Sequence, residues 1–402
     1  MNIVLDVVNY VLLAILAGVS ITWILLIRSM WITFRDSPFL DRFERKPHAR
    51  PTVSVILPAR NEEGFIERCL ESLIDQDYEN YEIVAIDDRS DDRTGEIIRD
   101  IAGRNPKVKF VLAGPKPEKW MGKNWACVEG FRKASGELLL FTDADTVHSK
   151  NTISLAVSHL LSEELDALTV IPKMLCLDVW TKITLPVLST FLHTRFSALR
   201  VNDASKKTGY FFGSFFIIKR SVYSEVGTHE GVKSELVEDG ALGKKVKESG
   251  FKMKMVRGEH LVEAVWARDL KTLWHALKRL MTPLYIQSGK VASGVFVAVL
   301  FLLFMPFPTV LYAAVFEKLS PSFTVLLATS LFASGLVYLA CLIDAVKGLG
   351  LGARYVSLSP IGSAIIVGGF ASGILNAKSE KAVTWRGRTY SVTDSVQDSI
   401  SL

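Results

Sequence analysis

Two aspartates separated by one small residue, Asp143-Ala144-Asp145, stand where the apolar run GELLLF gives out. On a locally extended backbone, side chains at i and i+2 share a face, so both carboxylates can meet one hard cation. Such a pair suits Mg²⁺ or Mn²⁺ carrying a diphosphate, because the metal offsets charge on the leaving group as its bond to carbon breaks. A polar turn after a strand would show the same three residues, so the pair needs company. Asp87 and Asp88 supply it at the end of an earlier apolar run, YEIVAIDD. They can bind the same metal or hydrogen-bond a ribose or base, and Asp88 is the preferred one.

Pro58, Arg60 and Glu62 follow the run TVSVILPA, whose loop would cover the same pocket. Lys123 lies in WMGKNWAC between two tryptophans, where a basic side chain can meet a nucleotide or phosphate. Glu238 and Asp239 open a helix. An acid there either serves the helix dipole or takes a proton from an acceptor hydroxyl, and the sequence leaves both open.

The elements that must position these groups follow from periodicity. TVSVILPA, YEIVAIDD, KVKFVLAG and GELLLFTDAD read as buried strands, each followed by a stretch with helical spacing such as Ile66, Leu70, Leu73 and Ile74. That alternation predicts an α/β, doubly wound, mostly parallel sheet. In open sheets of this kind ligands bind beyond the carboxyl ends of the strands. Asp87, Asp88, Asp143 and Asp145 all fall at such ends, so four carboxylates converge on one edge.

Apolar residues make up 49% of the 402, and they are unevenly spread. Residues 7–27 carry no charge and are long enough to cross a bilayer; Asp6 and the lack of a basic start argue for an N-terminal anchor (1–30) over a cleaved signal. Three more apolar stretches, about 293–316, 323–343 and 356–375, make a C-terminal membrane region (293–376), followed by a polar tail (377–402). Arg28, Arg35, Arg42, Arg45, Lys46 and Arg50 follow the first span and nothing basic precedes it, which puts the central domain (50–285) in the cytosol of a cell-membrane protein. The net charge of +5 fits a surface near anionic lipid, and basic clusters interleaved with stacking aromatics are missing, so no nucleic acid is expected. Segments near 176–196 and 269–287 read as helices lying in the membrane interface. Four scattered cysteines read as packing residues.

VSVILPARNEEGFIERCLESLIDQDYENYEIVAIDDRSDDRT, GKNWA, FTDAD, GSFFIIKRSVY and VEDGALGKKVKESG follow in an order and at separations that resemble the inverting nucleotide-sugar glycosyltransferases of family 2. Within it the chain is most similar to membrane-bound lipid glycosyltransferases of the ceramide glucosyltransferase-like, carotenoid and hopanoid-associated group. The resemblance implies a GT-A type fold, a nucleotide-sugar donor, a divalent cation and a lipid acceptor taken from the bilayer. It also implies roles: Pro58, Arg60, Glu62 and Asp88 at the nucleoside, Lys123 at the nucleotide, Asp143 and Asp145 at the metal with Asp145 nearer, and Asp239 as base. The family's Gln-x-x-Arg-Trp motif is reduced here to ALKRL, in which Arg279 alone fits and can contact the diphosphate. That departure weakens processive polysaccharide synthesis and favours one sugar moved to a lipid hydroxyl, with polyprenyl phosphate acceptors and a non-catalytic sensor as the rival expectations. In the tail, Arg386 and Arg388 of VTWRGRTY are expected near donor phosphates or anionic lipid.

Three crossings after a cytosolic domain would leave this basic tail outside. The Gly/Ser-rich segment 356–375, with Pro360, is therefore a candidate re-entrant segment.

Overall fold

The strand Val53–Ala59 is buried along its whole length, as expected of a strand covered on both faces. A computed structural model describes residues 2–44, 50–191, 196–378, 383–385 and 388–390. The chain divides into two units: Ser37–Leu175 with Phe196–Trp266 and Glu380–Leu402, and Met1–Asp36 with Cys176–Arg195 and Ala267–Ser379.

The first is the α/β unit. Its strands are β1 (Val53–Ala59), β2 (Tyr81–Asp87), β3 (Val108–Leu112), β4 (Leu138–Phe141), β5 (Thr146–His148), β6 (Ala167–Ile171), β7 (Lys173–Cys176), β8 (Phe216–Lys219), β9 (Met253–Arg257) and β10 (Val262–Ala267). Its helices are α1 (Ile66–Ile74), α2 (Thr94–Arg104), α3 (Gly122–Lys133), α4 (Thr152–Ser162), α5 (Ala198–Asn202), α6 (Arg220–Glu225) and α7 (Glu238–Glu248). The main sheet runs β3-β2-β1-β4-β8-β6-β9, parallel except at β8, and a second sheet runs β5-β10-β7. Alternate residues of β1 feed two cores. Val53, Val55 and Leu57 pack with Ile66, Cys69, Leu70 and Leu73 of α1. Ile56 packs on the other face with Ala126 and Cys127 of α3. The predicted doubly wound sheet is thus present, with both faces covered. Burial pushes the Cys69 and Cys127 thiols up, in keeping with packing roles.

Among the described residues the second unit holds three helices long and apolar enough to cross a membrane, Ile3–Asp36, Pro321–Lys347 and Ala353–Lys378. A pair, Gly289–Phe304 and Pro306–Leu319, is bent by 57° and counts as a fourth if taken as one span. The first helix lies parallel to Pro321–Lys347, start beside start and end beside end. At one end Ser320 and Ser322 both donate to Asp6 Oδ1 at 2.6 Å, and Asn9 Nδ2 donates to Ser322 Oγ at 2.8 Å. At the other end the Lys347 ammonium stands 5.8 Å from the Trp31 ring.

The break in this region falls at Leu300–Pro306, while Ala353–Lys378, the candidate re-entrant segment, is unbroken. Its glycines serve packing: a methyl on Gly369 would meet Leu277 Cβ at 2.7 Å, and one on Gly373 would meet the Lys278 carbonyl oxygen at 2.9 Å. The helices Val179–Leu188 and Leu270–Gln287, expected at the interface, group with these apolar helices. In the tail, Val383–Trp385 pairs antiparallel with Arg388–Tyr390; Arg386 lies outside the described residues, as do Arg45 and Lys46.

Candidate active site

Asp87 closes β2, level with Ala59 of β1, so the acids do gather at the carboxyl edge of the parallel strands. After β4 the chain does not stay extended. Thr146 N–H donates to the Asp143 carbonyl at 3.2 Å, which makes Asp143–Thr146 a reverse turn into β5. The expectation that strand alternation puts Asp143 and Asp145 on one face is therefore corrected. The turn is needed because β5 leaves the main sheet to pair antiparallel with β10. Among the described residues no group of three His, Cys, Asp or Glu is arranged to hold a metal, so protein ligands alone build no closed site; two carboxylates on one turn would leave a hard cation to complete its shell from other oxygens. Mg²⁺ and Mn²⁺ keep much of their shell for water and phosphate oxygens, whereas a structural zinc would take four protein ligands.

Lys123, in the first turn of α3, joins two of the predicted acids. Its Nζ lies 2.6 Å from Asp143 Oδ1 and 2.6 Å from Glu238 Oε1. Burial works against the ammonium, but Asp143, Glu238 and Asp239 outweigh it and raise its pKa well above the ordinary value. Asp239 is held from the backbone: Gly213 N–H donates to Oδ2 and Gly240 N–H to Oδ1, both at 2.8 Å. Burial and then the Glu238 charge push the Asp239 carboxyl up to about 7, against the pull of Lys123; Asp143 adds to the rise. A carboxylate that titrates near neutrality is matched to general-base work.

Gly213 marks the meeting point. A methyl built there would stand 2.9 Å from Asp239 Oδ2, 2.9 Å from Lys123 Nζ and 3.0 Å from Asp143 Oδ2. The segment carrying it is fixed on both sides. Phe212 N–H donates to Thr169 Oγ1 at 2.9 Å, and Thr142 Oγ1 donates to the Ser214 carbonyl at 2.8 Å. Beneath it the Phe211 and Phe216 rings stack at 4.5 Å, and Phe216 stacks on Phe141 at 4.8 Å.

Asn124, fully buried beside Lys123, ties α3 to the loop before α7. Its Nδ2 donates to the carbonyls of Val232 (2.6 Å) and Glu235 (3.2 Å), while Met121 N–H donates to the Lys233 carbonyl (2.7 Å). This clip sets Lys123 against Glu238. Asn124→Ala removes both of these bonds, although the Val232 carbonyl keeps the Glu235 N–H at 2.9 Å, and should cost about 1–3 kcal/mol of stability, read as a lower melting temperature of the purified protein. An unchanged melting temperature would remove Asn124 from this role.

The other predicted donor residues divide. The Arg60 guanidinium clasps the turn after β2, donating to the Asp88 carbonyl (2.7 Å), to the Arg89 carbonyl and to Asp91 Oδ2 (2.9 Å). Asn61 and Arg89, both at φ 54°, occupy the left-handed region in these facing loops, and Asp91 N–H donates to Asn61 Oδ1 at 2.9 Å. Glu62 and Asp88 are buried within this cross-bonded pair of loops. Asp87 Oδ1 accepts from Ser90 N–H at 2.9 Å, a local turn contact. Pro58 is buried in β1 beside Ile86. Arg279 is half-buried on Leu270–Gln287, in the other unit.

Sequence reasoning missed Gly213 and Asn124. A glycine inside an aromatic, strand-like run signals close approach and was legible. Asn124 carried no signal of type or spacing.

Residues 54–227 match the family model described as Glycosyl transferase family 2. The chain is 30% identical over 156 residues to YdaM of Bacillus subtilis (strain 168), a protein named as a glycosyltransferase, covering 37% of each. It is 29% identical over 212 residues to the 4,4'-diaponeurosporenoate glycosyltransferase of Staphylococcus haemolyticus (strain JCSC1435), covering 51% of this chain and 55% of that one. The chain thus matches only about a third to a half of these relatives' length. The mannosyltransferase PcManGT of Pyrobaculum calidifontis, solved with GDP-Man and Mn²⁺, has a TM-score of 0.53 at 19% identity, covering 91% of this chain and 99% of that one. That likeness establishes the GT-A type fold.

Proposed function

We propose, from the premise that this chain carries a glycosyltransferase family 2 domain, that it moves a single sugar from a nucleotide-sugar, UDP-linked by preference, to a hydroxyl of a membrane lipid with inversion at the anomeric carbon. One observation carries the reading: Asp239, tuned to neutrality, faces the point where Lys123 and Asp143 meet. Asp239 accepts the acceptor hydroxyl's proton as that oxygen attacks the anomeric carbon, and the nucleoside diphosphate departs with the bonding pair. Backbone N–H groups on both carboxylate oxygens hold Asp239 in one orientation for this transfer. Lys123 lends positive charge at the donor's phosphates, and Glu62 and Asp88 bind its nucleoside. A divalent cation, Mg²⁺ or Mn²⁺, would be held by Asp145 with Asp143 and would supply further charge at the diphosphate. The basic residues after the first helix favour a cytosolic α/β unit, with the acceptor drawn from the bilayer.

The test is incubation of membranes containing the protein with several labelled nucleotide sugars, followed by lipid extraction and mass spectrometry. One sugar on a lipid hydroxyl is expected. Label found only on polyprenyl phosphate or in polymer would overturn the acceptor assignment. Asp145→Asn should abolish the response of transfer to added Mn²⁺ while leaving the melting temperature in metal-free buffer unchanged. Retention of a normal Mn²⁺ response would remove Asp145 from the metal.

A further inference from the structure

Leu270–Gln287 starts from a capping box in which Thr272 N–H donates to Asp269 Oδ1 at 2.7 Å. Leu273, Ala276, Leu277, Met281 and Leu284 are buried. Lys271, Trp274, His275 and Lys278 follow i, i+3, i+4, i+7 spacing and so share another face. With Leu270 they line an open cavity of about 450 Å³, inside the roughly 300–1,000 Å³ range of small-ligand sites.

The lining contains no acid, and the nearby Asp269 is engaged in the helix cap. The resulting positive field is felt by His275, whose imidazolium is disfavoured by burial, then by Lys278 and Lys271, with Asp269 opposing. The Trp274 ring rests on Gly368 of Ala353–Lys378, which fixes the indole. One residue, Ser288, separates this helix from the apolar Gly289–Phe304. The cavity therefore lies close in sequence to where hydrocarbon begins.

We propose that this cavity holds the anionic headgroup of a bilayer phospholipid, with Lys271 and Lys278 at its phosphate and Trp274 at the headgroup level. Charge complementarity selects an anion, and a lipid headgroup is the anion concentrated at this depth. Interfacial tryptophan beside basic side chains is the usual anchor chemistry there. The inference rests on the membrane placement of these helices and is independent of the glycosyl-transfer reading.

The experiment places the full-length protein in nanodiscs of mixed phosphatidylglycerol and phosphatidylcholine and counts retained lipids by native mass spectrometry. Wild type should retain phosphatidylglycerol selectively. The double variant Lys271→Gln/Lys278→Gln should bind it roughly 20- to 30-fold more weakly, at about 1 kcal/mol per lysine near an anionic surface. Lys271→Arg/Lys278→Arg should keep it, which separates lost charge from lost fold. Equal retention of both lipids by wild type, or equal selectivity in the glutamine variant, would overturn the proposal. So would displacement by inorganic phosphate as effective as by short-chain phosphatidylglycerol, since that outcome marks a site for soluble anions.

Discussion

Asp239→Asn should cut sugar transfer by about 100- to 10,000-fold, the span of a lost general base, with nucleotide affinity little changed. The amide keeps the shape of the carboxylate but cannot take a proton, and one of the two backbone N–H donors now at Asp239 would face an NH₂ group. In the wild type the base must be ionised, so kcat/KM should rise with pH through about 7. Lys123 pulls the Asp239 pKa down. Lys123→Met should therefore move that acidic limb to higher pH, whatever it does to the amplitude. A pH profile of kcat/KM for the three proteins checks this, and a limb that stays put in Lys123→Met would break the link between the two groups.

The sign for stability runs the other way. A carboxyl whose folded pKa is raised favours the folded state least when ionised, so this group should erode stability as pH climbs from its ordinary value of 3.8 towards about 7. The base is maintained against the fold's own preference, as sites poised for proton transfer often are.

Gly213→Ala should cost transfer about 100-fold or more, because a displacement of about 1 Å at the reacting groups is enough for that. The added methyl would crowd Asp239, Lys123 and Asp143 at once, and the Gly213 N–H that orients Asp239 would have to shift. Stability should change far less than activity, since Gly213 does not occupy the left-handed region where only glycine is at ease. Parallel measurement of kcat and melting temperature tests this; near-normal kcat would show that the three groups do not work around one point.

Much of this site was legible because its acids sit at strand ends. The strands are buried apolar runs that sequence displays openly, and parallel pairing sends every carboxyl end to one edge. Asp87 and Asp143 were singled out for that reason, and Lys123 for its charge between two tryptophans. What was not legible depends on contacts between distant segments. The Asp143–Thr146 turn exists because β5 pairs with β10, more than a hundred residues later. Arg60 reads as a donor ligand from its position, yet its guanidinium clasps the Asp88–Asp91 turn. The antiparallel β8 could not be foreseen from FIIK, since a buried strand reads the same in either direction. The Gly-rich segment 356–375 reads as a candidate re-entrant stretch, and the use its glycines have in one helix, Ala353–Lys378, depends on Leu277 and the Lys278 carbonyl far away in sequence.

The polar clasp of Asp6 and Asn9 with Ser320 and Ser322 has a consequence for how the protein is made. Its partners are separated by 313 to 316 residues. A ribosome adding about 5–20 residues per second needs roughly 15 to 60 s to cover that distance. Through most of that interval, until Tyr312 arrives to donate to Asn9 Oδ1 at 3.3 Å and Ser320 and Ser322 to donate to Asp6, water or lipid headgroups must serve that end instead. Only when Pro321–Lys347 emerges and lies down against it is that end satisfied. The helix that begins the chain is thus among the last to reach its finished surroundings, and a nascent chain arrested before Ser320 carries an unclasped polar end as a mark of its incompleteness.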